Sequence, residues 1–211
     1  MRMRSIGIRR LAGLALCALV AGCGPLISFG ESGPAPVLYS LEYGGVPKDQ
    51  SIGGPIVAVS TPDLLPRLEG QNIAVVLPGN EHTTLGGAEW SGHIGDMVQD
   101  YVMRALSSET SGTFVGRASL DVSVECRLGI KLWAMDYVPG DRARDDKVVV
   151  SLQMILVRMA DSSLLGQQVF THEATPSTNS PRAIAAAFNE AMMNNAQAYQ
   201  AWFSAKGSAC K

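Results

Sequence analysis

Alternating apolar and polar side chains predict two long strands in the centre of the chain. Every second residue is apolar over most of residues 120–138, and the same alternation recurs over residues 148–159. A period of two gives a strand one apolar face, so each stretch is predicted to form a strand with one buried face. The charged stretch between them, residues 141–147, is predicted to be a solvated hairpin loop.

Shorter apolar runs bounded by proline, glycine or turn residues predict further strands. These runs cover residues 37–43, 56–60, 73–77 and 164–172. Phe114 and Val115 are predicted to be briefly extended. Residues 86–92 are rich in glycine but lack a lysine and a preceding buried strand, so they are predicted to form an ordinary loop rather than a phosphate-binding element.

Apolar residues at helical spacing predict two amphipathic helices. The first covers residues 91–108, with Ser91 as its N-cap. The second covers residues 181–204, with Ser180 as its N-cap and Pro181 at the first helical position, where the missing N–H costs nothing. Asn194 and Asn195 interrupt the apolar stripe of the second helix. We interpret that stripe as core; it consists of Ile184, Phe188, Ala191, Met192, Tyr199, Trp202 and Phe203.

The first 23 residues have the pattern of a bacterial lipoprotein signal. Arginines at positions 2, 4, 9 and 10 precede an uncharged apolar run, residues 11–20, which is shorter than the roughly 20 residues of a membrane-spanning helix. Leu19, Ala21 and Gly22 stand just before Cys23. We predict that residues 1–22 are cleaved and that Cys23 is lipidated through a thioether and N-acylated. The alternative is an ordinary secretory signal with an unmodified Cys23.

The rest of the chain is predicted to be a tether followed by one domain. Residues 23–36 are rich in Gly, Pro and Ser, which favours a flexible link, and residues 37–211 suit one compact core. The signal carries four of the 17 Lys and Arg and none of the 19 Asp and Glu, so the mature net charge is about −6. An acidic protein binds nucleic acid poorly, and no nucleic-acid partner is predicted.

Cysteine usage leaves two thiols in the predicted domain. Cys17 is lost with the signal and Cys23 is the lipidation site, so Cys126 and Cys210 remain. In an oxidising compartment they could form a disulfide. The alternative is a buried thiol at Cys126 and a frayed tail around Cys210, and the sequence leaves both open.

No arrangement of residues predicts catalysis. The histidines, His82, His93 and His172, have no metal-ligand spacing, and the chain lacks nucleophile-elbow, phosphate-loop and dinucleotide motifs. Asp96 and Asp100 stand four residues apart on the first predicted helix, where a solvated face is the better interpretation than a carboxylate pair. We therefore predict no enzyme, no metal and no cofactor, but a lipid-anchored protein that acts through its surface.

The order of several weak motifs resembles that of the ABC-type transport auxiliary lipoprotein family. The motifs are the lipidation signal at Cys23, residues 36–41 (Pro-Val-Leu-Tyr-Ser-Leu), residues 56–59 with 62–67, Glu89-Trp90, the long hairpin, and the last helix with Trp202. Residues 68–72 and the tail ending near Cys210 depart from the family pattern. The resemblance implies a mixed α/β (α+β) fold, a single domain whose mixed sheet carries two main amphipathic helices.

The resemblance also implies partners and a location. The partner would be a mammalian-cell-entry domain protein, in a system with an ABC permease and ATPase that moves lipid or other hydrophobic molecules between membranes. Gly24 follows the lipidated cysteine where an Asp would favour retention in the inner membrane, so the outer membrane, facing the periplasm, is expected. Self-association into a ring would suit a protein that caps a conduit, but no residue indicates it.

Two segments are expected to contact the partner. The first is residues 62–67, and the second is the predicted hairpin tip, residues 141–147. Residues 62–67 are Pro62, Asp63, Leu64, Leu65, Pro66 and Arg67. The alternative functions are a carrier that holds an apolar ligand in its own pocket, and a structural lipoprotein of the cell envelope.

Overall fold

Nine strands and two helices are found in the computed structural model, which describes residues 35–45, 54–116, 122–142 and 145–211. The strands are β1 (Val37–Tyr39), β2 (Ile56–Val59), β3 (Asp63–Leu64), β4 (Asn72–Leu77), β5 (Glu81–Trp90), β6 (Thr113–Val115), β7 (Cys126–Val138), β8 (Lys147–Arg158) and β9 (Leu164–Ala174). The helices are α1 (Ile94–Glu109) and α2 (Pro181–Lys206). Short 3-10 turns occupy Pro66–Leu68 and Gly207–Cys210. Cys23 and residues 1–34 lie outside the described residues.

The long strand β7 joins the two halves of one mixed sheet. Along one edge it pairs antiparallel with β8, which in turn pairs with β9. Along its other edge three strands pair with it in parallel and in succession, β2 near Leu128, β3 at Lys131 and Leu132, and β4 at Asp136 and Tyr137. The mixed α/β fold with two helices is therefore confirmed.

A β-bulge at Trp133 reverses the alternation within β7. Before it, the buried residues are the even-numbered ones, such as Leu128 and Leu132, and after it they are Met135 and Tyr137. One extra residue in a strand turns every following side chain to the other face. Trp133 itself keeps the outward direction of Arg127 and Lys131, with 41% of its surface exposed, and the bulge changes the side of the residues after it.

Helix α2 covers the opposite face of the sheet, where it packs on β8 and β9. The Ala183 N–H donates to Ser180 Oγ at 3.3 Å, so the predicted N-cap is confirmed. The predicted stripe is buried. Asn195, at 0% exposure, interrupts this stripe because its side chain bonds the sheet: Nδ2 donates to Val150 O, and Oδ1 lies 3.0 Å from His172 Nδ1.

Helix α1 begins later than the sequence predicts. Ile94 is its first residue and His93 its N-cap, so the expected N-cap at Ser91 is wrong. Ser91 instead continues the strand contacts: its N–H donates to Tyr39 O at 2.8 Å, and its hydroxyl bonds Ser40 Oγ. These bonds hold residue 91 extended.

Three strand predictions also need correction. Residues 86–92 are not a loop, because Gly86 to Trp90 belong to β5, whose irregular pairing with β4 is accommodated by Gly87 at φ +70°. The strand expected over residues 37–43 ends at Tyr39. The strand expected from residue 120 begins at Cys126, and residues 117–121 lie outside the described residues.

The end of the chain is attached to the start of β7. Cys126 and Cys210 form a disulfide with an S–S distance of 2.06 Å, and both are buried. Residues of the terminal 3-10 turn thus lie against β7, and the tail around Cys210 is not frayed.

Candidate docking surface

The segment of residues 62–67, called the docking segment below, lies along the edge of β7. Its first half is the short strand β3, and its second half enters the 3-10 turn Pro66–Leu68. Leu64 contacts the first turn of α1, where a Cβ on Gly95 would lie 3.4 Å from Leu64 Cδ1. Leu68 is buried just beyond the segment. The segment is therefore fixed to the domain at both ends.

Two ion pairs hold the docking segment against β7. Arg67 Nη2 donates to Asp136 Oδ2 at 2.9 Å and to Trp133 O at 3.1 Å. Asp136 is only 5% exposed. At the other end of the segment, Lys131 Nζ lies 3.1 Å from Asp63 Oδ2. Arg67 thus positions the segment beside Trp133, and 28% of its side chain stays exposed.

The six predicted docking residues differ in what they could offer a partner. Pro62 is buried and Arg67 is half-buried beside Asp136, whereas Asp63 and Pro66 are exposed. Leu64 and Leu65 are half-buried. The structure places all six together but leaves mainly Asp63 and Pro66 free to be touched.

Trp133 stands beside the docking segment and was missed by sequence reasoning. Its Nε1 donates to Gln153 Oε1 at 2.9 Å, and Lys131 Nζ lies 4.4 Å from the centroid of its ring. A cation over an exposed aromatic ring stabilises by about 0.5–1 kcal/mol, so the ring is held rather than freely rotating. The sequence does contain a sign of the β-bulge at Trp133. The apolar residues of this stretch stand at even positions up to Leu132 and at odd positions from Met135 onward.

Trp133 belongs to a larger apolar surface, which we call the outer face. It is the side of β7, β8 and β9 that points away from α2. Leu164 is 59% exposed and Val169 is 51% exposed on it. Half-buried aliphatic side chains join them, namely Val149, Ile155 and Val157. Exposed apolar groups gathered on one face, here with Gln153 and Gln167 among them, are typical of an interaction site.

The second expected contact, residues 141–147, follows the end of β7. The strand ends at Val138, two residues beyond Asp136, to which Arg67 of the docking segment donates. Asp141 and Arg142 are exposed there, while Ala143 and Arg144 lie outside the described residues. The tip thus follows the end of β7 that Arg67 reaches, whereas Asp63 lies beside Lys131, further back along the strand.

Asp146 at the hairpin tip has a structural task. It is buried, and its carboxylate accepts from Tyr137 Oη at 2.7 Å and from the Gly140 N–H at 2.8 Å. Burial, followed by this hydrogen bond to Asp146, raises the pKa of Tyr137 to about 12. Asp146 therefore closes the hairpin instead of facing a partner.

Four of the groups considered for catalysis lie at the surface of the domain. Asp96 and Asp100 are exposed on α1, and His82 and His93 are exposed as well. Within the part of the chain that the structure describes, no three His, Cys, Asp or Glu side chains are placed to hold a metal ion. None of the helices described is long and apolar enough to cross a membrane.

A shallow cleft of about 250 Å³ lies between residues 40–43 and α1. Ligand pockets are usually larger, roughly 300–1,000 Å³, and mainly apolar. This cleft has polar and charged groups around much of its rim, and its walls are Ser40, Leu41, Glu42, Tyr43, Ser91, Met97, Asp100, Tyr101 and Arg104. It does not suit the apolar ligand that the carrier hypothesis needs.

Comparison with known proteins gives one family match and several related folds. The family model described as "ABC-type transport auxiliary lipoprotein component" matches residues 39–198. A search of curated proteins finds no match. The family concerned is one of transport auxiliary components and not an enzyme class.

Solved structures share the fold at low sequence identity. A DUF330-family protein from Xanthomonas campestris is 19% identical, with a TM-score of 0.67 over 83% of this chain and 95% of that chain. An uncharacterized protein is 13% identical, with a TM-score of 0.62 over 82% of this chain and 98% of that chain. A hypothetical protein from Chlamydia trachomatis is 10% identical, with a TM-score of 0.50 over 74% and 99% of the respective chains.

Proposed function

We propose a docking function that starts from one fact: this chain belongs to the family of ABC-type transport auxiliary lipoprotein components. In this proposal the protein docks the periplasmic part of an ABC-type lipid transport system. The partner is a mammalian-cell-entry domain protein that works with a permease and an ATPase. The role is mechanical: a membrane-attached domain holds the end of the conduit by surface complementarity and needs no catalytic group.

The observation that carries the proposal is the position of Trp133. Aromatic residues anchor protein interfaces more often than other residue types do, because they bury much surface at a small cost in conformational entropy. Trp133 is exposed at a β-bulge, is held by Lys131 and Gln153, and adjoins the docking segment. A rigid, exposed tryptophan beside a fixed loop is a suitable anchor for a partner.

Attachment to the membrane is the second part of the proposal. Cleavage after Gly22 and lipidation of Cys23 would place the domain at the end of a tether, with the outer membrane as the expected location because Gly24 is not an acidic retention signal. Membrane fractionation of the Gly24→Asp variant tests this location. The variant is expected to move to the inner membrane, and an unchanged distribution would contradict the assignment.

Capture of the partner by surface variants tests the docking role. Trp133→Ala in the full-length lipoprotein is expected to weaken recovery of the mammalian-cell-entry domain protein roughly tenfold or more, since truncating an interface anchor costs about 2 kcal/mol or more. Gln197→Ala is the matched control, because Gln197 is exposed on α2 at the other side of the sheet. Equal recovery with both variants, at equal thermal stability, would rule out Trp133 as the anchor.

A further inference from the structure

We infer that the outer face binds a protein segment that is apolar along one side and carries acidic residues beside it. This inference rests on the proposed docking function and specifies the chemistry of the partner at that surface. It extends the contact from Trp133 across β8 to the edge strand β9.

Strand register places the apolar groups of the outer face in adjoining rows. Val157 stands opposite Leu164, and the pair of Gln153 and Val169 lies further along the same strands. Directly opposed residues in a sheet have Cβ atoms about 4.5–5.5 Å apart, so these side chains adjoin one another. Two amides, Gln153 and Gln167, lie among them, because Gln167 stands opposite Ile155. Trp133 closes the outer face at the end nearest the docking segment.

Gly129 leaves a depression in the outer face. It pairs with Ile155, and a Cβ built on it would come no closer than 3.8 Å to any atom of Ile155. Internal packing therefore leaves room for a side chain at this position. The glycine instead leaves the flank of Ile155 uncovered, which gives a partner side chain a place to sit.

Two cations border this depression. Arg127 and Lys131 stand two residues before and two residues after Gly129, so all three point to the same face. Arg127 is exposed, and its guanidinium has no hydrogen-bond or ion-pair partner among the described residues. Lys131 pairs with the exposed Asp63 at the rim. The outer face thus carries positive charge on a chain whose mature net charge is negative.

The charges decide which occupant fits. A second copy of this chain stacked on the outer face would bring further cations against Arg127 and Lys131, and like charges across an interface are costly. A partner segment with carboxylates would pair with them while its apolar side chains cover Ile155, Val157 and Val169. We therefore assign this surface to an apolar and acidic protein segment.

Photo-crosslinking in the native envelope tests the assignment. A photoreactive amino acid replaces Val169 in the full-length lipoprotein or, as control, the exposed Gln197 on α2. Crosslinks from position 169 are expected to map by mass spectrometry to a peptide of another protein in which carboxylates neighbour apolar residues. Crosslinks to phospholipid, to a second copy of this chain, or in equal yield from position 197 would overturn the inference.

Two variants examine the charge and the depression separately. Arg127→Glu is expected to lower the crosslink yield roughly tenfold, whereas Arg182→Glu, an exposed arginine on α2, leaves it unchanged. Gly129→Leu, which fills the depression, is expected to lower the yield at an unchanged melting temperature. Full yield with both Arg127→Glu and Gly129→Leu would contradict the assignment.

The outcomes separate this inference from the proposed function. If the transport protein co-purifies and depends on Trp133 but position 169 gives no crosslink to it, the inference fails and the docking role stands. If position 169 crosslinks to an acidic peptide of a protein outside any transport system, the proposed function fails and the surface assignment stands.

Discussion

Single buried polar residues determine where the surface segments of this domain lie. Asp136 is a buried charged residue of β7. Arg67 is its one ionic partner among the described residues. Its other carboxylate oxygen, Oδ1, and Arg67 Nε are buried with no hydrogen-bond partner in the described structure. Because each charge depends on the other, loss of either should loosen the docking segment.

Substitution of Arg67 tests this dependence. Arg67→Ala is expected to lower the free energy of unfolding by about 1.5–3 kcal/mol, because it leaves the Asp136 carboxylate buried without its cation. The double variant Arg67→Leu/Asp136→Leu should regain most of that loss, since no charge is then left unpaired. Urea denaturation measures both. An Arg67→Ala variant as stable as the wild type would show that the pair does not hold the segment.

Tyr137 makes the stability of the domain depend on pH above pH 10. Its folded-state pKa of about 12 lies above the value of 10.0 for a free tyrosine, since burial and Asp146 favour the protonated phenol. The protonated Tyr137 phenol contributes fully to the free energy of unfolding below pH 10. That contribution is lost as the pH rises from 10 to 12, because the phenol loses its proton in the unfolded state first. The slope is about 1.4 kcal/mol per pH unit in this window.

The Tyr137→Phe variant isolates that contribution. It lacks the titrating phenol, so its free energy of unfolding should fall less steeply between pH 10 and pH 12 than that of the wild type, by about 2–3 kcal/mol over the window. Denaturation curves at matched ionic strength give the two slopes. Parallel slopes would contradict the role assigned to Tyr137, whatever the stability at neutral pH.

The sequence pattern predicts some secondary-structure elements more clearly than others. Strands β7 and β8 and helix α2 have long periodic patterns, and their type was correctly predicted. Strand β5 was missed in large part because most of its residues from Glu81 to Gly87 are exposed, so burial imposed no alternation. The start of α1 was misplaced because Ser91 favours capping in isolation, whereas here its hydroxyl bonds Ser40 Oγ and its N–H donates to Tyr39 O.

The candidate site was harder to predict than the fold. The docking segment was proposed from the sequence, but Trp133 and Asp136 were not. Trp133 faces outward by the alternation that precedes the bulge, whereas the side that Asp136 faces depends on the bulge. Arg67 was expected at the partner contact, yet its partner Asp136 lies 69 positions further along the chain. Such pairings depend on the parallel register of β3 and β4 on β7, which local sequence patterns do not encode.

The disulfide joins two elements, and its contribution to the free energy of unfolding can be tested. It links Cys126 at the start of β7 to Cys210 after α2, a separation of 84 residues. Closing a loop of this length restricts the unfolded chain, and Cys126→Ala/Cys210→Ala is expected to lower the free energy of unfolding by about 2–4 kcal/mol. A reducing agent should destabilise the wild type and leave the double variant unchanged. Equal urea midpoints with and without reductant would show that the bond adds no stability.

The described domain has one face covered by a helix and one open face. Helix α2 buries one side of β8 and β9, while the outer face leaves Trp133, Leu164 and Val169 in solvent. The domain thus has a stable core on one side and a surface suited to a partner on the other. The proposed lipid at Cys23 would supply membrane attachment independently, so neither face is required for anchoring.

Affinity purification of the full-length lipoprotein from its native membrane tests the docking role most directly. Mass spectrometry of the captured proteins and of the N-terminus is the readout. We predict recovery of a mammalian-cell-entry domain protein together with a lipidated Cys23 and no residues 1–22. Recovery of the lipoprotein without any transport component, from membranes in which that component is present, would contradict the account.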